Sequence, residues 1–454
     1  MDLSRDHFLP ISRSDMQKRG WDELDVVLIS GDAYVDHPSF GAGIIGRIME
    51  AQGCRVGIIA QPDWRSRKDF TRLGKPRLFF GVTGGNIDSM LNHYTAGKRL
   101  RHNDAYSPGN RHGLRPNRAV IVYTNRLREI FGDVPILLGG IEASLRRIAH
   151  YDYWDEVVRR SILMDSRADM IIYGMGENQV IELINRLNDG EEFHHIRDIR
   201  GTVIIASSID DFPDCIVLPS FETVKQNKNA FNVASKILLS EIDPMTARPL
   251  AQMHGNRYVV QLPPARPLSI SEMDQLYELP FTRRWHPVYD HAGGVPALET
   301  VRFSITSHRG CYGDCSFCSL ALHMGKQVQS RSINSILKEV QELTKLREFK
   351  GIISDIGGPT SNMYMSRCSR WKKYGVCKDR NCIIPEKCPN LKLGYPEILK
   401  VWDDALKIPG VKKVFVSTGV RYDLLAVPEG DAYLEALCLN HVSGQLKIAP
   451  EHVD

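Results

Sequence analysis

Short apolar runs alternate with helical-period segments through the first two hundred residues. The runs at 26–29, 56–60, 78–82, 134–138, 170–173 and 203–206 are continuous rather than alternating, which predicts strands covered on both faces. Between them, 43–52 (stopped by Gly53), 119–131 and 177–187 carry apolar residues at helical spacing. Strands that alternate with helices imply a parallel sheet, with its ligand crevice outside the carboxyl ends of the strands. Gly139-Gly140 and Gly174-Met175-Gly176-Glu177 sit at two such ends. The pattern therefore predicts an amino-terminal arm over 1–20 and a flavodoxin-like α/β domain over 21–206.

The pattern loosens after residue 206. One helix is expected over 221–239, and Pro263-Pro264 and Pro267 suit an extended stretch. Residues 207–295 are therefore expected to form a connector packed across two lobes. A second α/β pattern starts near Thr300. Val301-Arg302-Phe303-Ser304-Ile305 alternates as a strand, 333–345 reads as a helix, and 351–355, 411–417 and 445–449 read as strands. These predict a partial (β/α) barrel over 296–454. About four strands stand where a βα barrel needs roughly six to eight, and a barrel cut open exposes an edge strand. The chain is accordingly expected to be truncated at its carboxyl end, as a fragment or one of a split pair.

With 454 residues, two or three domains are expected. The net charge of +4 is weak for that length and gives no sign of a nucleic-acid or membrane-surface partner. No apolar run approaches the ~18 residues of a membrane span. The start, Met1-Asp2-Leu3-Ser4-Arg5-Asp6, lacks the form of a signal peptide. A cytoplasmic protein is expected, and ten cysteines there argue for metal or redox chemistry rather than disulfides. Seven of the ten lie between Cys311 and Cys388. Cys54, Cys215 and Cys438 stand alone and read as small buried apolar residues.

Cys311, Cys315 and Cys318 fall in Ser307-His308-Arg309-Gly310-Cys311-Tyr312-Gly313-Asp314-Cys315-Ser316-Phe317-Cys318, a C-x3-C-x2-C loop with an aromatic before its last cysteine. Three thiolates on one short loop can hold three corners of a [4Fe–4S] cluster and leave the fourth iron open. A structural zinc site would more usually show paired C-x2-C units. Gly310 and Gly313 permit the tight path such a core needs. The competing class is a non-catalytic iron–sulfur or zinc protein that transfers electrons or binds a partner.

This loop resembles that of the radical S-adenosylmethionine (SAM) superfamily. Phrases along the chain resemble the YgiQ family in particular: Met253-His254-Gly255, Leu279-Pro280-Phe281, His308-Arg309-Gly310-Cys311, Ser330-Arg331-Ser332, Ser354-Asp355-Ile356-Gly357-Gly358-Pro359-Thr360, Arg421-Tyr422-Asp423-Leu424 and Ala449-Pro450-Glu451-His452. The resemblance implies that the open iron chelates the amino and carboxylate groups of SAM. One electron then cleaves the sulfonium, and a 5′-deoxyadenosyl radical abstracts hydrogen from a substrate, small or macromolecular, that the resemblance does not define. It also implies a low-potential electron donor such as flavodoxin or ferredoxin. Gly357 and Gly358 fall where a glycine pair approaches the methionyl amino group. The Glu that often follows is Pro359 here. Ser417 and Arg421 fall where polar residues bind the cofactor's ribose and carboxylate, although an exposed cap and a surface ion pair would also explain them. Phe317 is placed to shield the cluster and lean against adenine.

Cys368, Cys377, Cys382 and Cys388 supply a full tetrahedral set within 21 residues of a Lys- and Arg-rich segment, 366–390. With no core pattern of its own, the segment could be folded by metal, an auxiliary iron–sulfur cluster or zinc. The alternative is a solvated loop whose thiols act singly. Gly41-Ala42-Gly43-Ile44-Ile45-Gly46, with Asp63 beyond, matches the dinucleotide fingerprint. Eleven residues separate it from Ile29, however, so these glycines are better read as letting a helix pack close. The first lobe also resembles cobalamin-binding domains. The histidine of D-x-H-x-x-G that replaces cobalamin's lower base is missing, because Asp36 and His37 are adjacent. Cobalamin is thus the lesser expectation, behind a substrate-binding or structural lobe. His93, His102, His112, His194 and His195 have no partner pattern and read as surface or satisfied core residues.

Overall fold

In the computed structural model, residues 7–448 are described. The first six residues of the expected arm, the end of the strand expected at 445–449 and the phrase Ala449-Pro450-Glu451-His452 lie outside them. The continuous apolar runs form a five-stranded parallel core. Its strands are β1 (Val26–Ser30), β2 (Val56–Ala60), β3 (Phe79–Thr83), β4 (Ile136–Gly139) and β5 (Met170–Ile172), in the order β2-β1-β3-β4-β5. Val26 stands opposite both Val56 and Phe79. The period of two along a strand splits each run between two apolar layers. Val26 and Leu28 pack with Ile44, Ile48, Leu183 and Ile184 of helices Gly41–Ala51 and Glu177–Asn188. Val27 and Ile29 pack with Val120, Tyr123 and Leu127 of helix Ala119–Phe131. Helices on both faces explain why β1 and β2 are buried along their whole length. A Cβ on Gly46 would stand 2.5 Å from Leu9 Cδ1, so the fingerprint-like glycines serve close helix packing.

The sheet continues past the expected boundary. Strand β6 (Thr202–Ala206) is antiparallel to β5, and β7 (Ile216–Leu218), β8 (Leu250–His254) and β9 (Arg257–Gln261) extend it in the order β6-β9-β8-β7. Three strands of a nine-stranded mixed sheet thus come from the segment expected to be a connector. The physical reason is a hairpin: Gly255 takes φ +65° between β8 and β9, so Gly255-Asn256 returns the chain directly. The helix expected over 221–239 is two, Phe221–Gln226 and Lys228–Ser240, divided where the Asn227 side chain accepts from the backbone of Asn229 and Ala230. Segment 207–295 does reach the second lobe, from Asp243 between β7 and β8, which accepts from Val376 N (2.8 Å), and again after the sheet. Leu268 N donates to Gln329 Oε1 (2.8 Å), Thr282 N donates to Asp36 Oδ2 (2.9 Å), and Arg283 pairs with Glu339.

The second lobe is a parallel βα succession with shorter strands. Strand β10 (Ser304–Thr306) runs beside β12 (Asp355–Gly357), and β11 (Ile352–Ile353) runs beside β13 (Lys413–Val414). An isolated parallel bridge links Val420 to Ile448. Helices Ile333–Thr344 and Tyr395–Leu406 cover these strands through Ile336, Val340, Val401 and Trp402. The strand expected at 301–305 is displaced, because Pro296 starts a helix that runs to Val301. No helix among the described residues is long and apolar enough to cross a membrane.

Candidate active site

The carboxyl ends of β3, β4 and β5 face those of β10 and β12 across a cleft of about 600 Å³. Its amino-terminal wall holds the glycine-bearing turns at Gly41, Gly85, Gly139-Gly140 and Gly174–Gly176. Its opposite wall holds Thr306, His308, Asp355, Gly357, Gly358 and Thr418.

From β10 the chain passes directly to the cysteine loop. Ser307 N donates to Gly357 O (2.7 Å), which fixes the exit of β10 against the end of β12. Gly310 takes φ +82°, and a Cβ there would lie 2.1 Å from Gln327 O, so only glycine can turn the chain at this point. Cys311 N then donates to Gly325 O (3.1 Å), and Cys318 N donates to Cys315 O (3.0 Å). Burial pushes the Cys311 thiol up, the backbone of Gly313 and the Arg421 charge oppose this, and Cys315 and Cys318 add to it. Arg421 Nη1 donates to Cys315 Sγ at 3.1 Å, and its Nε donates to Asp423 Oδ1 at 3.0 Å. Burial works against the guanidinium charge, but Asp423 and Cys315 outweigh it and raise the Arg421 pKa. A Cβ on Gly313 would sit 2.5 Å from Arg421 Nη1, so that glycine is what lets the arginine reach the loop. Three thiols on one short loop with a fixed cation on one sulfur fit the donor set of an open-cornered cluster. Among the described residues, no three or more His, Cys, Asp or Glu side chains are already closed around a metal-sized point, and this loop is no exception.

The glycine pair after β12 leaves no room for side chains. A Cβ on Gly357 would lie 2.9 Å from Thr418 Oγ1, and one on Gly358 would lie 2.5 Å from His308 O and 2.7 Å from its ring. Ser417 does not line the cleft. Its hydroxyl donates backwards to Ser354 O (2.7 Å), and its N–H donates to Asp355 Oδ1 (2.9 Å). The groups that do reach the cleft from these loops are Asp355 and Thr418, which hydrogen-bond each other. Burial raises the Asp355 pKa, and Thr418 and the backbone of Ser417 hold it back. Arg421 also stands outside the cleft lining, on the sulfur side of the loop. Phe317, expected to cover the loop, is 72% exposed, so most of its ring meets solvent.

Sequence reasoning passed over several residues here. His308 is fully buried, with Nδ1 2.9 Å from Ser307 Oγ, and burial pushes its pKa down to about 3, so the ring is neutral. Glu177, from the glycine turn after β5, pairs with Arg309, whose Nε donates to Tyr277 Oη at 3.1 Å. His323 Nδ1 lies 3.1 Å from Ser144 Oγ. The first lobe's turns thus rest directly on the cysteine-bearing segment. Both sides of the ion pair carry a sequence trace, Arg309 beside the cysteine loop and Glu177 in the Gly174–Glu177 turn, but neither names its partner. His37 is buried away from the cleft, with Nε2 3.0 Å from Arg283 Nη1.

The second thiol set lies behind the loop. Cys368, Cys382 and Cys388 pack in one apolar cluster with Cys311 and Tyr312 of the first loop. Of the solitary cysteines, Cys54 is buried and its thiol is pushed up to about 11 by burial. Cys215 is half-buried, and Cys438 is exposed, contrary to expectation.

Comparison with known proteins gives three kinds of match. The Radical SAM N-terminal family matches residues 8–304. A UPF0313 protein of Clostridium botulinum (strain ATCC 19397 / Type A) is 52% identical over 451 residues, covering 99% of this chain and 70% of its own length. A UPF0313 protein of Methanocella arvoryzae is 54% identical over 443 residues, covering 98% and 73%. Among solved structures, the radical SAM methyltransferase TsrM from Kitasatospora setae, with tryptophan and aza-SAM bound, aligns with TM-score 0.46 at 14% identity over 94% of this chain. The cobalamin-dependent SAM radical enzyme OxsB, with aqua-cobalamin bound, aligns with TM-score 0.44 at 11% identity over 91% of this chain. The chain spans 59% and 41% of the length of those two solved chains.

Proposed function

Since this chain belongs to the radical SAM family shared with the UPF0313 proteins, we propose that Cys311, Cys315 and Cys318 hold a [4Fe–4S] cluster with one open iron and that hydrogen abstraction takes place in the adjoining cleft. The observation that carries this reading is a short loop of three thiols just beyond a strand that ends at the cleft, with Arg421 on the Cys315 sulfur and Gly313 making room between Arg421 and Cys311. When bound, the cluster supplies the electron that splits SAM into methionine and a 5′-deoxyadenosyl radical.

The chain's own residues do the rest. Arg421, held by Asp423, donates to the Cys315 sulfur and offsets negative charge on the thiolate set. Gly357 and Gly358 leave bare backbone at the cleft wall, where a cofactor can approach the chain closely. Asp355 and Thr418 present a hydrogen-bonding pair to a polar group of cofactor or substrate, and Arg421 lies too far behind for that task. Leu28, Val82, Leu138, Ile172 and Ile305 line the cleft with hydrocarbon, which excludes water from a reactive intermediate. The substrate, small or macromolecular, enters between the lobes, and a low-potential donor such as flavodoxin or ferredoxin reduces the cluster in the cytoplasm. A corrinoid against the first lobe is a second reading, favoured by the four glycine-bearing turns on that wall. With His37 outside the cleft, it would be held without a histidine ligand from that position.

The test is anaerobic reconstitution of the wild type and of a variant with Cys311, Cys315 and Cys318 all changed to Ala. The wild type is expected to release 5′-deoxyadenosine from SAM on reduction, and the variant to release none and to hold about four fewer irons per chain. Persistent cleavage in the variant sinks the assignment. Electron paramagnetic resonance of the reduced protein separates the non-catalytic alternative, because only an open iron changes its signal when SAM is added. Visible absorbance of the same sample reports a corrinoid.

A further inference from the structure

We propose that Cys368, Cys377, Cys382 and Cys388 form a second metal centre, a four-thiolate site for a thiophilic metal, either one zinc ion or one iron–sulfur cluster. Its role is to fix the segment that supports the Cys311 loop from behind. Like Cys311, Cys315 and Cys318, none of the four lines the cleft.

Four observations converge on it. The segment is closed at its base by a two-residue antiparallel ladder in which Cys368 stands opposite Leu391. Between those strands the regular structure is one four-residue helix, Trp371–Tyr374, and the segment's own buried apolar side chains, Trp371, Val376, Ile383 and Leu391, pack with Tyr312, Met363 and Leu424 outside it. So small a core does not hold a segment of this length in one conformation, which is the setting in which a metal contributes folding energy. Second, Cys368, Cys382 and Cys388 pack into one apolar cluster and Cys388 N donates to Cys382 O at 3.0 Å, although among the described residues no three donors are closed around a metal-sized point. All four are free thiols, so no disulfide competes for them. Third, seven Lys and Arg face two acidic residues between 367 and 388. Four thiolates around a divalent ion carry a net charge of about −2, and a [4Fe–4S] core on four thiolates carries the same, so this cationic excess suits either.

Fourth, the segment is clamped on both sides. Asp243 of the first lobe accepts from Val376 N (2.8 Å) and Gln327 Nε2 (3.3 Å), and Lys378 pairs with Glu241 at 3.2 Å. On the other side, Tyr312 donates to Ser366 Oγ (3.0 Å), and its ring centroid lies 6.0 Å from that of Trp371. Tyr312 follows Cys311 directly. A centre that orders 366–392 therefore orders the start of the first loop and its seat on the amino-terminal lobe.

The experiment uses the full chain with Cys311, Cys315 and Cys318 changed to Ser, so that every result is independent of the first cluster. Purified anaerobically, this protein is expected to keep either one zinc, or iron and sulfide in cluster stoichiometry, per chain by elemental analysis. Adding Cys382→Ser and Cys388→Ser should remove that metal, whereas adding Cys438→Ser, at the exposed cysteine, should leave it. Limited proteolysis should cut the depleted variant within 369–387 while its far-ultraviolet circular dichroism is unchanged. Should the depleted variant not fold, metal K-edge absorption on the triple-serine protein decides alone: four sulfurs at about 2.3 Å support the site, and two or fewer overturn it. Zinc and iron edges distinguish the two metals. A triple-serine protein that holds no stoichiometric metal as isolated, nor after anaerobic incubation with zinc or with iron and sulfide, also overturns it. Loss of SAM cleavage leaves this proposal untouched, and loss of this centre leaves the first cluster's ligands intact, so the two readings fail separately.

Discussion

The sheet lobe and the cysteine-bearing lobe share one cleft, yet different forces hold their walls. In the first, strands of five residues such as β1, β2 and β3 feed two continuous apolar layers, and each strand's position follows from which residues it buries. In the second, strands of two or three residues contribute little pairing, and polar contacts set the positions of the working groups. Arg331 and Arg283 share Glu339, Thr418 and the backbone of Ser417 hold Asp355, and Asn362 Oδ1 accepts from Arg421 N at 3.1 Å. A rigid scaffold thus faces a locally specified one. Mutations should act on global stability in the first lobe and on geometry at the loop in the second.

The sharpest way to break this contrast is the ion pair that joins the lobes. Glu177→Ala leaves Arg309 buried without a counter-charge, and loss of one partner of a buried pair costs about 3–5 kcal/mol. Glu177→Gln, which keeps an acceptor, should cost less. Urea unfolding is expected to show the alanine variant losing the cysteine-bearing lobe first, in a separate transition. A single transition at the wild-type midpoint would mean that the lobes do not depend on this contact.

Acid offers the next largest effect. His150 and His254 in the sheet lobe are pushed down to about 4 by burial, and His308 and His323 beyond it to about 3 and 4. All four are neutral when folded, and each takes a proton near pH 6.5 once unfolded. Below that pH the unfolded chain binds more protons, so stability is fully present above about 6.5 and falls as pH drops toward 4. Each ring contributes up to about 1.4 kcal/mol per pH unit in that window. Denaturant titrations at a series of pH values should show this slope, and His150→Gln and His323→Gln should each flatten it by one ring's share. A slope unchanged by either variant would refute the assignment.

A methyl group distinguishes the lobes more finely. Gly46→Ala meets the end of a flexible leucine side chain and gains helix propensity of about 1 kcal/mol, so the two effects should nearly cancel. Gly358→Ala meets the His308 carbonyl, which cannot yield, and should cost about 1–3 kcal/mol together with most SAM cleavage. Thermal unfolding and 5′-deoxyadenosine release measure both; equal losses in the two variants would erase the contrast.

What could be read beforehand follows the same division. The runs at 26–29 and 56–60 announced β1 and β2 because burial on both faces leaves a continuous apolar signature. Strand β7 has three residues, one of them exposed, and no periodicity can mark so short an element. The β8–β9 hairpin did carry a signal in Gly255-Asn256, which the nearby prolines obscured. At the site, Cys311, Cys315 and Cys318 were legible because a cluster demands fixed local spacing. Glu177 and Arg309 are 132 residues apart, and Thr418 and Asp355 are 63 apart. Such pairs exist only once the chain is folded, so no local pattern records them. Arg421 was legible as a candidate but not in its task, since its contact with Cys315 spans 106 residues.

The smallest expected effect tests the aromatic loop residue that the fold leaves uncovered. Phe317 is 72% exposed, so Phe317→Ala should change stability by less than about 0.5 kcal/mol. A ring that packs on bound adenine is worth about 0.5–1.5 kcal/mol, which is a rise of about two- to twelvefold in KM for SAM. Phe317→Tyr keeps the stacking face and should restore it. An unchanged Tm with raised KM places Phe317 among residues that act only when the cofactor is present, consistent with a lobe whose geometry is specified locally. An unchanged KM in the alanine variant would leave the aromatic before Cys318 as a solvent-facing residue and remove it from the site.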